Sequence, residues 1–263
     1  MTEVLKVLFI GDIIGKPGRL AVKRVLPEIV SDYGIDFVVA NGENAAAGFG
    51  ITPAIADELF QWDIDVITSG NHIWDKKEII DYLDHTPRLL RPENYADGVP
   101  GRGHCVVETA SGTTIGVINL SGRVFMGNHD CPFRRGEQVV KGMTERSPVM
   151  IVDIHAETTS EKNAIAWFLD GRVSAVIGTH THIQTADERV LPQGTAFISD
   201  AGMTGATDSV IGMEKDISLE RFLTGMPKRF EVARNNVEFQ GVVVSIAAES
   251  GRAVAIERIK RAV

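Results

Sequence analysis

Cysteine is scarce in this 263-residue sequence, which contains only Cys105 and Cys131. Two cysteines are too few for the disulfide framework that holds small secreted domains together. No apolar run approaches the roughly 20 residues that span a bilayer, and the N-terminus lacks the ordered regions of a signal peptide. The sequence therefore predicts a protein of the reducing cytoplasm with no membrane partner.

Basic residues are outnumbered by acidic ones, since the sequence has 27 lysines and arginines and 35 aspartates and glutamates, and the net charge is −8. This balance argues against a protein that coats nucleic acid by counterion release, but it does not exclude a nucleotide as a small substrate. Internal repeats and low-complexity segments are also absent. An α/β chain of this length commonly folds as one unit, so we expect a single domain over residues 1–263.

Strands and helices alternate in the first third of the chain. Apolar runs predict buried strands at residues 4–10, 36–41 and 65–70. A helix beginning near Pro17 is predicted to direct four side chains toward a core, namely Leu20, Val25, Leu26 and Ile29. A second helix begins at the N-cap Thr52 and ends at about Trp62. Asp75 is expected to cap a third helix, over residues 76–84.

After residue 88 the pattern changes. Strand runs on both sides of Ser111-Gly112 predict an antiparallel hairpin. Residues 121–148 are rich in Gly, Arg and Pro and predict a long loop with short helical pieces. Further strands are predicted at residues 148–155, 173–180 and 195–202, with a helix at 160–171 and a strand pair at 238–261. This order predicts an α/β fold, a four-layer α/β/β/α sandwich of two packed mixed sheets with outer helices.

The stretch VLFIGDIIGKPG, residues 7–18, places Asp12 directly after the first strand. A phosphate-binding Walker loop needs two glycines separated by four residues, then a lysine and a hydroxyl residue. Gly11 and Gly15 are separated by only three residues, and Pro17 replaces the hydroxyl residue. We therefore interpret Asp12 as a carboxylate at the carboxyl end of a strand, where α/β sheets bind their ligands.

Other strand ends carry side chains of the kinds that bind metals. They are Glu43, Asn44, Asn71, His72, His155, His180 and His182. Carboxylates, amides and imidazoles suit Mn, Fe or Zn better than Ca or Mg. In an extended segment residues two apart face the same way, so His180 and His182 are predicted to approach one site. The number of ligands suits two ions that share a carboxylate, an arrangement that serves phosphoester hydrolysis.

In chain order, the fragments GDII, GEN, GNH, DIH and GTHTH resemble the five-part pattern of the calcineurin-like metallophosphoesterases, and the resemblance covers essentially the whole chain. Two positions depart from that pattern. Ile14 stands where the superfamily has its first His, and Glu43, followed by Asn44, replaces the bridging Asp. Together with NGENAAAGFGIT and GNHIWDKKEI, these departures resemble the bacterial YmdB-like subfamily.

The resemblance implies two divalent transition metal ions, Fe or Mn, with Zn and Mg as alternatives. It assigns Asp12, Glu43, Asn44 and His182 to the first ion, and Glu43, Asn71, His155 and His180 to the second. It also implies that a metal-bound hydroxide attacks phosphorus while His72, near the leaving oxygen, acts as general acid. The implied activity is a phosphodiesterase whose substrates are cyclic nucleotides, especially 2′,3′-cyclic monophosphates such as 2′,3′-cyclic AMP.

Other interpretations stay open at this point. The protein could be a regulator that holds a nucleotide or an RNA end with little turnover, or a phosphomonoesterase that uses the same metals. Taken singly, Asp12 could be a helix cap, Asn44 and Asn71 turn residues, and His155 a core histidine. Phe49 could stack on a base or only pack in its loop. A homo-oligomer is expected because exposed sheet edges need covering.

Overall fold

The computed structural model of the protein describes residues 3–263. Its strands are β1 (Val4–Ile10), β2 (Asp12–Ile13), β3 (Phe37–Asn41), β4 (Val66–Thr68), β5 (His104–Glu108), β6 (Thr114–Ser121), β7 (Val149–His155), β8 (Ala175–Thr179), β9 (Arg189–Val190), β10 (Ala196–Ile198), β11 (Met203–Ala206), β12 (Val237–Ala247) and β13 (Ala253–Ala262). Its helices are α1 (Gly15–Tyr33), α2 (Pro53–Phe60), α3 (Ile79–His85), α4 (Pro132–Met143), α5 (Thr159–Leu169) and α6 (Lys215–Thr224). No helix in this described range combines the length and the apolar character needed to cross a bilayer.

The strands form two sheets. In one, the order is β2-β11-β12-β1-β3-β4, and β13 also pairs with β12; in the other it is β5-β6-β7-β8-β10-β9. Strands β1, β3 and β4 run parallel, as do β6, β7, β8 and β10. The two predicted antiparallel pairs, β5 with β6 and β12 with β13, are confirmed. Both sheets are therefore mixed, as the sequence predicts.

Side chains that point alternately to the two faces of each sheet form the contacts between the four layers. Val7 and Phe9 of β1 are fully buried between the two sheets, where they pack with residues of β6, β7 and β8. Leu8 and Ile10 point the opposite way and pack against α1 and α2. On the far face of the second sheet, Val152 packs against α4 and α5. Each fully buried side chain of this size stabilises the fold by about 1.5–3 kcal/mol, and the predicted α/β/β/α sandwich is confirmed.

One prediction for α1 is wrong. Val25, Leu26 and Ile29 are buried against the first sheet, but Leu20 is 52% exposed. Leu20 lies four residues from both Lys16 and Arg24, so it shares their face of the helix rather than the core face. Helical periodicity correctly identifies the buried face of α1. It does not identify an apolar residue that lies among cations on the exposed face.

Two predictions for helix boundaries are also wrong. The segment predicted as a long loop contains α4, a 12-residue helix whose Val139, Val140 and Met143 pack on the second sheet. Asp75 does not cap a helix, because α3 begins at Ile79 and the side chain of its N-cap residue makes no capping hydrogen bond. Thr52 is the expected N-cap of α2, since its hydroxyl accepts a hydrogen bond from the backbone N–H of Ile55.

Candidate metal centre

All seven predicted ligands lie at the end of a strand or in the segment that directly follows one. Asp12 begins the short strand β2, and Glu43 with Asn44 follows β3. Asn71 follows β4, His155 is the last residue of β7, and His180 and His182 follow β8. Because the parallel strands of each sheet end at one edge, these loops converge. The two sheets thus bring the predicted ligands together in a single cluster.

One group of ligands surrounds His155, whose side chain is fully buried. Its Nε2 atom lies 3.0 Å from Oε1 of Glu43, 3.1 Å from Oδ1 of Asn71 and 3.0 Å from Nδ1 of His180. Ligand atoms of Glu43, His155 and His180 all lie within 4.8 Å of one another. This group matches the set that the resemblance assigns to the second ion.

A second group surrounds His182. Its Nε2 atom lies 3.2 Å from Nδ2 of Asn44 and 3.7 Å from Oδ1 of Asp12. The Asn44 amide also donates to Oε1 of Glu43 at 3.2 Å, so Glu43 contacts both groups. Within residues 3–263, Oδ1 of the fully buried Asp12 has no hydrogen-bond partner. Burying a carboxylate oxygen without a partner is costly, and a cation between Asp12 and His182 would remove that cost.

The electrostatics of the cluster favour a bound cation. Burial raises the pKa of Asp12, and it would raise that of Glu43, but the charge and hydrogen bond of His155 bring the pKa of Glu43 to about 2. Burial opposes charge on His155, yet the Glu43 carboxylate and other nearby acids raise its pKa to about 9. Burial and the charge of His155 lower the pKa of His180 to about 3. An ionised Glu43 thus needs a positive neighbour, and a divalent ion supplies more charge than one imidazolium.

Asp153 and Thr179 orient the ring of His155, a role that sequence reasoning did not assign. The Thr179 hydroxyl donates to Oδ1 of Asp153 at 2.7 Å and lies 2.9 Å from Nδ1 of His155. Since the hydroxyl has one proton and gives it to Asp153, it accepts from Nδ1–H, and Nε2 is the nitrogen of His155 that faces Glu43. Such partners fix the tautomer of metal-binding histidines. Asp153 lies two residues before His155, the one sequence signal that places both on one face of β7.

Gly70 allows the centre to close. A Cβ atom at this position would lie 2.2 Å from Cδ2 of His155 and 2.3 Å from Oε2 of Glu43. No other residue leaves room for these two ligands to meet. The glycine of the GNH motif therefore has a steric role that was not assigned from the sequence.

The conformation of residues 180–182 differs from the prediction. Strand β8 ends at Thr179, and His180 and His182 have positive φ angles of 98° and 65° instead of extended ones. Both rings still reach the centre. Between them, Thr181 donates its backbone N–H and its hydroxyl to Oδ2 of Asp200, which also accepts from the buried Lys162 at 2.9 Å. The buried ion pair thus holds a strained turn, and strain of this kind persists where the surroundings enforce it.

His72 lies at the mouth of the centre, with 28% of its side chain exposed. Its backbone N–H donates to Oε2 of Glu43, and its Nδ1 atom lies 2.9 Å from Oδ2 of Asp75. The ring meets Phe49 edge-on with centroids 5.0 Å apart. Glu157, also missed from the sequence, lies 3.1 Å from Nε2 of His180. A cavity of about 340 Å³ opens over these residues.

The chain is similar to known proteins over nearly its whole length. A family described as YmdB-like protein matches residues 8–259. A 2′,3′-cyclic-nucleotide 2′-phosphodiesterase of Bacillus subtilis (strain 168) is 48% identical, over 97% of this chain and 96% of that protein. A solved structure of a hypothetical protein from Thermus thermophilus is 41% identical, with a TM-score of 0.91 over 98% of this chain and 99% of that one. A phosphatase structure from Mycoplasma pneumoniae is 33% identical, with a TM-score of 0.92 over 100% of this chain and 95% of that one. The chain belongs to the YmdB-like protein family.

Proposed function

We propose that the protein is a phosphodiesterase that hydrolyses 2′,3′-cyclic nucleotides at a centre of two divalent metal ions. The observation that carries this proposal is the position of Glu43, which contacts two separate groups of nitrogen and oxygen ligands. The relative of Bacillus subtilis, named for the same reaction, supports the substrate class. The protein is accordingly a phosphoric ester hydrolase whose substrate is a small phosphodiester.

The ligands divide around Glu43. Asp12, Asn44 and His182 would hold one ion with it, and Asn71, His155 and His180 would hold the other. The mixed nitrogen and oxygen donors favour Mn or Fe. When bound, the ions neutralise phosphate charge and activate water for attack on phosphorus.

His72 and Asp75 serve the leaving group. Asp75 accepts from Nδ1–H of His72, which directs the Nε2 nitrogen away from Asp75. As the general acid, His72 at the cavity mouth would donate a proton to the departing ribose oxygen. Phe49 packs against the ring and limits its orientation.

The test combines metal content with hydrolysis of 2′,3′-cyclic AMP for the wild-type protein and for Glu43→Gln. We expect two metal ions per wild-type chain, and loss of both metal and turnover in Glu43→Gln. Glu28→Gln is the matched control, because Glu28 is exposed on α1. Wild-type protein that binds no metal and hydrolyses nothing in added Mn or Fe contradicts the proposal. Faster hydrolysis of 3′-AMP favours a phosphomonoesterase, and tight binding without turnover favours a regulator.

A further inference from the structure

A second and larger cavity, of about 970 Å³, adjoins the metal centre. Its walls come from α1 and from residues 229–237, and it shares Phe49 and Phe230 with the cavity over the metal ligands. The centroids of these two rings are 6.3 Å apart. The aromatic pair is thus a common wall, and a ligand that occupied both cavities would pass beside it.

Cations dominate the charged lining of this second cavity. They are Lys16, Arg24, Lys76, Arg229 and Arg234, against one acidic side chain, Glu231. Over residues 3–263, none of the five cations forms an ion pair. In a protein of net charge −8, a local surplus of unpaired cations marks a place where anions concentrate.

The cations alternate with apolar surface. Lys16, Leu20 and Arg24 are spaced four residues apart and therefore share one face of α1, and all three line the cavity. The exposure of Leu20, unexplained by packing, places an apolar side chain between two charges. Phe49 adds an aromatic ring nearby, and Phe230 adds another, one face of which packs against Arg221. Basic residues that track phosphates beside surfaces on which bases stack are typical of single-stranded nucleic acid sites.

The chemistry sets the direction in which such a strand would run. In a 2′,3′-cyclic phosphate the leaving oxygen belongs to the ribose, so the nucleoside lies on the side of the general acid, His72. Phe49 contacts His72 and also forms the common wall. Any chain attached to the 5′ side of the terminal nucleotide is therefore directed toward the basic cavity.

On the basis of the proposed function, we propose that the substrate class is short RNA ending in a 2′,3′-cyclic phosphate. The terminal nucleotide occupies the metal centre, and the preceding phosphates bind the cations of the second cavity. The negative charge elsewhere on the protein disfavours contacts with longer RNA. Short fragments therefore fit better than long transcripts.

The experiment compares kcat/KM for 2′,3′-cyclic AMP with that for a trinucleotide carrying the same cyclic end. We expect the trinucleotide to be favoured about 10-fold or more, and the Arg24→Ala/Arg234→Ala variant to bring this ratio toward one. Lys76→Ala should reduce the slope of log(kcat/KM) for the trinucleotide against the logarithm of salt concentration by about 0.7, as for one lost phosphate contact. Lys77→Ala is the matched control, because Lys77 is the exposed neighbour outside the cavity lining.

The outcomes separate this inference from the proposed function. Hydrolysis of both substrates at equal kcat/KM, with the same ratio in the Arg24→Ala/Arg234→Ala variant, overturns the inference alone. If neither substrate is hydrolysed, the proposed function fails. Fluorescence anisotropy with a 5′-labelled, 3′-phosphorylated trinucleotide then tests whether the second cavity binds RNA. Binding weakened about 10-fold or more in the double variant supports the inference, and unchanged binding overturns it.

Discussion

At the scale of single residues, His72 offers the most direct test of mechanism. We expect His72→Asn to lower kcat/KM for 2′,3′-cyclic AMP by about 10²–10⁴, the usual contribution of a positioned general acid, and Asp75→Asn to cause a smaller loss. Bis-p-nitrophenyl phosphate has a leaving group that needs no proton, so its hydrolysis should fall far less. Equal losses on both substrates, at unchanged metal content, would mean that His72 positions the substrate without protonating it.

Gly70 is the second residue that tests the centre, because adding a single carbon atom there should prevent metal binding. The methyl group of Gly70→Ala would overlap His155 and Glu43, so we expect the variant to lose bound metal while keeping its secondary structure. Metal analysis and circular dichroism measure the two effects. Gly142→Ala is the control, because a Cβ there meets nothing within 4 Å and should stabilise α4 by about 0.5–1 kcal/mol. A Gly70→Ala protein with full metal content would refute the steric argument.

The sequence predicts which residues form the centre better than how they are held. Asp12, Glu43 and His155 are found because strand ends and residue chemistry are local signals. The Thr179–Asp153 contact that orients His155 is not found, since it joins β7 to β8. The pairing of Asp75 with His72 in place of a helix cap depends in the same way on where α3 begins.

At the scale of elements, the Lys162–Asp200 ion pair connects α5 to the turn that carries His180 and His182. We expect Lys162→Met to destabilise the protein by about 3–5 kcal/mol, because it leaves the buried Asp200 charge without its partner. Metal affinity should fall as well, since Asp200 holds Thr181. Denaturant unfolding and metal titration measure both effects.

The control for this ion pair is Lys141→Met. Lys141 pairs with Glu137 on the surface of α4, where an ion pair contributes about 0–1 kcal/mol. If Lys162→Met lowered the free energy of unfolding no more than Lys141→Met does, the buried pair would have no special role in holding the turn.

Elements that the sequence did not predict have weak local signals. In α4 the apolar positions Val139, Val140 and Met143 have helical spacing, but glycine and arginine precede them in the helix. In α6 only Ser218 is buried, and Phe222 and Leu223 are largely exposed. With no buried stripe, periodicity cannot reveal α6. Strands β2 and β9 contain two residues each and are defined by their partners alone.

At the scale of the whole molecule, the centre exists only when both sheets are assembled. Glu43 and Asn71 come from the first sheet and His155 and His180 from the second. The side chains that pack between the sheets, such as Phe9 and Ile151, therefore also set the distances between ligands. Metal binding should accordingly report on the packing of the two sheets and on folding of the whole chain.

The proposed metal centre predicts that metal binding and stability are linked, and calorimetry can measure the link. A metal that binds only the folded protein adds about 2.7 kcal/mol at a concentration of 100 Kd, which for a chain of this size raises Tm by roughly 5 °C or more. We expect a single unfolding transition, because one layer of side chains joins the two sheets. Added Mn should raise the Tm of this transition, and a chelator should lower it. Glu43→Gln should abolish the shift and Glu28→Gln should retain it. Two transitions would contradict a single domain over residues 1–263, whereas a Tm indifferent to metal would contradict the metal centre.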